Sequence, residues 1–140
     1  MKVDGACHCG RIAFEAQVDE NEVSICHRDD CQRLTGTAFR VSVAVPAENF
    51  HLLRGSPKEY IKIAESGARR LQGFCGDCGS PLFATSADKP EVYGLRVGTL
   101  LQRDQLVPRK QIWRHSALRW VPLMEHLETW SDEDDFPSLP

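Results

Sequence analysis

A chain of 140 residues with 41% hydrophobic and 26% charged residues has the composition of one ordinary soluble globular domain. Its formal net charge of −3 argues against a nucleic-acid partner, which calls for a basic face. No uncharged apolar run approaches the roughly 18 residues of a membrane span, so an integral membrane protein is not expected.

Met1-Lys2-Val3-Asp4 has no apolar run behind it, so no secretory signal is expected and a reduced, cytoplasmic setting follows. Cys7-His8-Cys9 comes next, between Gly5 and Gly10. Ile12, Phe14, Ala16 and Val18 then alternate with mostly polar neighbours, the period of a half-buried strand. After a turn at residues 19–22, a short strand from Val23 to Ile25 delivers the chain to Cys26. Residues 26–36 lack the alternation and end in Gly36, which suits a loop running into a single helical turn. If residues 28–34 turn helically, Arg28 shares a face with Cys31.

Arg40 to Val45 alternates with its valines toward a core, and Pro46 ends that strand. Phe50 to Leu53 adds a brief strand. Residues 60–63 and 69–74 flank Glu65-Ser66-Gly67 as a hairpin leading into Phe74-Cys75-Gly76-Asp77-Cys78-Gly79. Residues 81–85, 91–97 and 111–114 read as the remaining strands. Many short strands and no amphipathic helix predict an all-β domain over residues 1–130. The acidic run that follows, within 131–140, reads as a solvated tail.

The two cysteine stretches supply four thiols in two tight pairs, Cys7 with Cys9 and Cys75 with Cys78, the ligand set of a closed tetrahedral zinc site. The flanking glycines suit this, since wrapping amides around a metal needs positive φ or close backbone approach. Six cysteines also allow three disulfides. A chain of this length needs none to hold a core, and a metal joining residues 7 and 78 would close about half of it into one loop. His8 reads as a surface group, the tryptophans as packing, and Arg69-Arg70 as an exposed strand face.

The order Gly-x-Cys-x-Cys-Gly, then Cys26 and Cys31 followed by Arg-Leu-Thr-Gly-x-x-Phe, then Phe-Cys-x-x-Cys-Gly-Ser-x-Leu-Phe resembles the glutathione-dependent formaldehyde-activating enzyme family, to which centromere protein V also belongs. Residues 96–100 and Trp113 and Trp120 fit the same pattern. The resemblance implies the β-tent fold, a small zinc-stapled fold of short antiparallel strands. It also implies a carbon–sulfur lyase reaction that joins the glutathione thiol to formaldehyde, giving S-hydroxymethylglutathione. The family's structural zinc matches Cys7, Cys9, Cys75 and Cys78.

The family's second, catalytic zinc uses a Cys-x-Cys-x-x-Cys cluster, and this chain has Arg28 at the middle position between Cys26 and Cys31. Arginine has no acceptor and stays protonated, so it cannot be a ligand. Three readings follow. His27, Asp29 or Asp30 replaces the missing ligand; or Arg28 lowers the pKa of Cys26 and Cys31 and pairs with a carboxylate of glutathione or another anionic thiol; or the site is degenerate and the domain is a zinc-stabilised binding module.

Overall fold

The period-2 patterns become strands because one face of each can be buried. A computed structural model describes residues 1–131, so the acidic run at 132–135 lies outside the described residues. Ten strands and one helix are described: β1 (Lys2–Ala6), β2 (Ala13–Gln17), β3 (Val23–Cys26), α1 (Asp29–Thr35), β4 (Arg40–Pro46), β5 (Phe50–Arg54), β6 (Lys58–Ile63), β7 (Arg69–Phe74), β8 (Pro81–Ser86), β9 (Val92–Arg96) and β10 (Lys110–Ile112). The architecture is mostly β, as the alternation predicts.

The strands form a three-stranded sheet, β1-β2-β5, and a seven-stranded sheet, β10-β3-β4-β9-β8-β7-β6. The pairings are antiparallel, as expected of this fold, apart from β10 on β3, which is parallel. β1 escapes the alternation argument because its inward positions are Val3 and a glycine, Gly5. Gly5 is needed for packing, not for wrapping a metal. A Cβ there would lie 2.1 Å from the Phe14 ring, which rests on the bare backbone. Beyond β9 the chain runs in 3-10 turns, at Val97–Thr99, Arg103–Gln105, Arg114–Ser116 and Val121–His126, which have no sequence period to announce them.

The core lies between the two sheets. Val3, Phe14 and Ala16 from the small sheet meet Val43, Val45, Phe83 and Leu95 from the large one. Phe50 joins the layers, 5.5 Å from Phe14 and 4.7 Å from Tyr93 between ring centroids. The other face of the large sheet carries Arg40, Ser42, Arg70, Gln72, Gly94 and Arg96, fixed there by the register Ser42↔Arg96, Ala44↔Gly94 and Arg70↔Ser86. Helix α1 lies over that face, with Cys31 against β3 and Asp30 bonded to Lys62 of β6. Among the described residues no helix is long and apolar enough to cross a membrane.

Leu95 is fully buried in the middle strand of the large sheet. Leu95→Ala is expected to lower stability by about 2–5 kcal/mol in denaturant unfolding. A loss below about 1 kcal/mol would place the core elsewhere.

Candidate functional site

Cys7 and Cys9 sit in the turn after β1, and Cys75 and Cys78 in the turn after β7. Both turns are built alike. The Gly10 amide donates to Cys7 O at 3.1 Å, and the Gly79 amide donates to Cys75 O at 2.8 Å. Gly10 and Gly79 take the positive φ that these returns require, 77° and 79°. The His8 amide donates to Ser80 Oγ at 3.0 Å, which ties one turn to the other while the His8 side chain stays exposed.

The four sulfurs lie within 4.8 Å of one another. Cys7 and Cys9 are 3.6 Å apart and Cys9 and Cys75 are 3.8 Å apart. Bonds of about 2.3 Å to a shared tetrahedral ion set sulfurs about 3.8 Å apart, whereas a disulfide needs about 2.0 Å. All six cysteines are free, so the disulfide alternative falls and the cluster could hold a metal ion. The Ser80 hydroxyl and then its amide bring Cys78 down to about 5, toward the thiolate a metal needs. At Cys9 the Arg11 amide favours the thiolate, but burial and the three neighbouring sulfurs outweigh it and push the group up to about 11. Four sulfurs this close cannot all ionise without a cation among them.

The second cysteine pair is arranged differently. Cys26 ends β3, and Cys31 lies in the first turn of α1, where it donates to Cys26 Sγ at 2.8 Å. Gly36, at φ 68°, closes the helix as its glycine predicts, although α1 extends beyond a single turn. Gln32 anchors α1 by donating to His27 O at 2.8 Å and Ser116 O at 3.1 Å.

The candidate replacement ligands point elsewhere. His27 is fully buried with Nε2 2.7 Å from Gln111 Oε1, Asp29 pairs with Arg33 at 3.3 Å, and Asp30 pairs with Lys62 at 2.5 Å. The Lys62 hydrogen bond also lowers the Asp30 pKa. Among the described residues no third His, Cys, Asp or Glu joins Cys26 and Cys31 in a group that could hold a metal. Two donors do not make a zinc site, so the residues present do not fit a second metal.

Arg28 precedes α1, and its guanidinium stacks on Trp113, 4.3 Å from the ring centroid. Trp113 is half-exposed and holds a φ of 57°, unfavourable for a bulky residue, so it is more than the packing residue the sequence suggests. Arg28, Asp29, Asp30, Lys62 and Trp113 line a cavity of about 560 Å³.

The expectation that arginine activates both thiols fails at Cys31. Burial and the hydrogen bond to Cys26 push Cys31 up to about 11, against the opposing pull of Arg40 and then Arg28.

Arg40 and Arg96 also stand near the thiol pair, and sequence reasoning did not single them out for the site. Arg40 lies opposite Cys26 in the β3–β4 ladder. Arg96 is 6% exposed and donates to Ser42 Oγ at 2.9 Å, Gly94 O at 3.1 Å and Gln72 Oε1 at 3.0 Å. Burial and then Arg40 draw its pKa down to about 9, which still leaves it charged at neutral pH. The signal was an arginine on the polar side of each of two alternating strands, Arg40 with the valines of β4 and Arg96 beside Leu95. Arg69 and Arg70 part company: Arg69 pairs with Asp88 at 2.6 Å, and Arg70 joins Arg40 and Arg96.

Because Cys31 holds its proton until about pH 11, its alkylation by iodoacetamide at about pH 7.5 is expected to be slower than that of free cysteine and to rise toward pH 11. A Cys31 rate near neutral pH equal to or above that of free cysteine contradicts this assignment.

The model of the family described as glutathione-dependent formaldehyde-activating enzyme matches residues 2–116. A crystal structure of a Rhodobacter sphaeroides protein superposes with a TM-score of 0.59 at 21% identity, over 77% of this chain and 98% of that one, a likeness of fold. With most of its length matched, the chain belongs to the glutathione-dependent formaldehyde-activating enzyme family.

Proposed function

We propose that the protein binds zinc at Cys7, Cys9, Cys75 and Cys78, and that on the opposite face of its large sheet it joins a small thiol, glutathione or a relative, to formaldehyde or a similar electrophile. The reading deepens the family description by assigning the chemistry to this chain's own groups. An all-sulfur, closed donor set suits zinc as a structural ion and leaves it no open position for substrate.

The observation that carries the reading is a buried thiol pair beside Arg28, Arg40 and Arg96, none of which forms an ion pair among the described residues. A merely degenerate site has no reason to keep that much uncompensated positive charge near two thiols. In the reaction the substrate S–H bond breaks, a C–S bond forms, and the carbonyl oxygen takes the proton. The guanidiniums favour the substrate thiolate and stabilise the developing alkoxide. Cys26 can take the proton from the substrate sulfur and hand it on to the carbonyl oxygen, while Cys31 holds the Cys26 sulfur in place by donating to it. The Arg28–Trp113 stack holds an anionic group of the substrate at the mouth.

No step is routed through a second metal, because Cys26 and Cys31 lack the further donor it would need. The competing reading, a zinc-stabilised binding module without catalysis, shares the Cys7–Cys78 cluster and differs only at this face.

Exchange NMR on formaldehyde and glutathione separates the two. The wild-type protein is expected to speed formation of the S-hydroxymethyl adduct, and Cys26→Ser to slow it by about 10²-fold or more, as for loss of a proton-transfer group. No acceleration by wild-type protein across the neutral pH range would favour the binding module.

A further inference from the structure

The polar face of the large sheet holds a second, open concavity of about 400 Å³. Its floor is small, Ala44 and Gly94, and its sides carry Arg40, Arg70 and Arg96 with the hydroxyl residues Ser24, Ser42 and Ser86. Every one of these six is a donor. The acid on its rim, Glu91, is taken by Lys89 at 3.4 Å. Arg40 keeps a buried Nε with no hydrogen-bond partner. Arg96 has its hydrogen bonds to neutral oxygens alone, so its charge is buried without an anion.

Cys31 does not supply the missing charge, because it stays protonated at neutral pH. An unpaired buried guanidinium is costly, and a cavity of converging donors around it is complementary to an oxyanion. β4 and β7 are three rungs apart in the sheet, about 14 Å at the usual strand spacing, a gap two arginine side chains span.

We propose that Arg40, Arg70 and Arg96, with the hydroxyls of Ser24, Ser42 and Ser86, form an oxyanion subsite that holds a carboxylate of the thiol substrate. The assignment rests on the function proposed above. It adds where the non-reacting end of the substrate goes: Arg40 opposes Cys26 across one ladder rung, so a carboxylate held there leaves the sulfur of a short peptide within reach of the thiol pair. Selectivity follows, since thiols without a carboxylate lack the anchor.

Calorimetric titration of the zinc-loaded protein tests this with two probes, S-methylglutathione, which keeps both carboxylates but has no free thiol, and inorganic phosphate. S-methylglutathione is expected to bind saturably, phosphate to compete with it, and Arg40→Gln and Arg70→Gln each to weaken it by about tenfold or more. Arg70 is only half-buried, so Arg70→Gln decides the matter should Arg40→Gln fail to fold.

S-methylglutathione affinity unchanged in Arg70→Gln, no saturable binding, or binding of phosphate alone overturns the subsite. If turnover is absent yet S-methylglutathione still binds through Arg40 and Arg70, the subsite stands and the reaction falls. If turnover proceeds with an unchanged KM in both variants, the reaction stands and the subsite falls.

Discussion

Four sulfurs from two turns, Cys7 and Cys9 after β1 and Cys75 and Cys78 after β7, meet within 4.8 Å, and the placing of everything else depends on that meeting. The turns belong to different sheets, so their junction fixes how the sheets face each other over the Phe14–Phe50–Tyr93 core. It also closes a loop of about half the chain, whose ordering entropy a metal held there would offset. Ser80 serves both turns at once, accepting from the His8 amide and lying 3.3 Å from Cys78 Sγ.

With one face of the large sheet committed to the core, the other is free to carry charge. Alternation along β4 and β9 places valines and leucine inward and Arg40, Ser42 and Arg96 outward. The small helix α1 covers part of this face and is held through its first turn, by Cys31 on Cys26 and by Asp30 on Lys62. The positive charge left over, unpaired among the described residues, is what the proposed anionic ligand would neutralise.

Much of the fold was legible because it follows from period and punctuation. β2 and β4 announce themselves by alternation, β7 by the hairpin turn before it, and Gly36 marks the end of α1. The four-cysteine cluster was legible for a different reason: paired spacings between glycines have few other uses. What was hidden depended on distant partners. β1 is a strand because Phe14 lies across Gly5, and β10 is parallel because the chain returns through 3-10 turns to lie beside β3. The second site was misjudged in part for the same cause. Reading residues 26–31 alone gave His27, Asp29 and Asp30 as neighbours of the thiols, whereas Gln111, Arg33 and Lys62 claim them. Arg40 and Arg96, remote in sequence from Cys31, lie near it instead, and at Cys31 burial outweighs the pull of Arg40 and then Arg28.

The most direct test of the metal-stapled domain is a zinc count per folded chain, paired with the unfolding temperature, for the wild type, Cys26→Ser and Cys75→Ser. The account predicts one zinc and a cooperative transition for the first two proteins, and loss of both for Cys75→Ser. A Cys75→Ser protein that melts like the wild type without bound metal would contradict it.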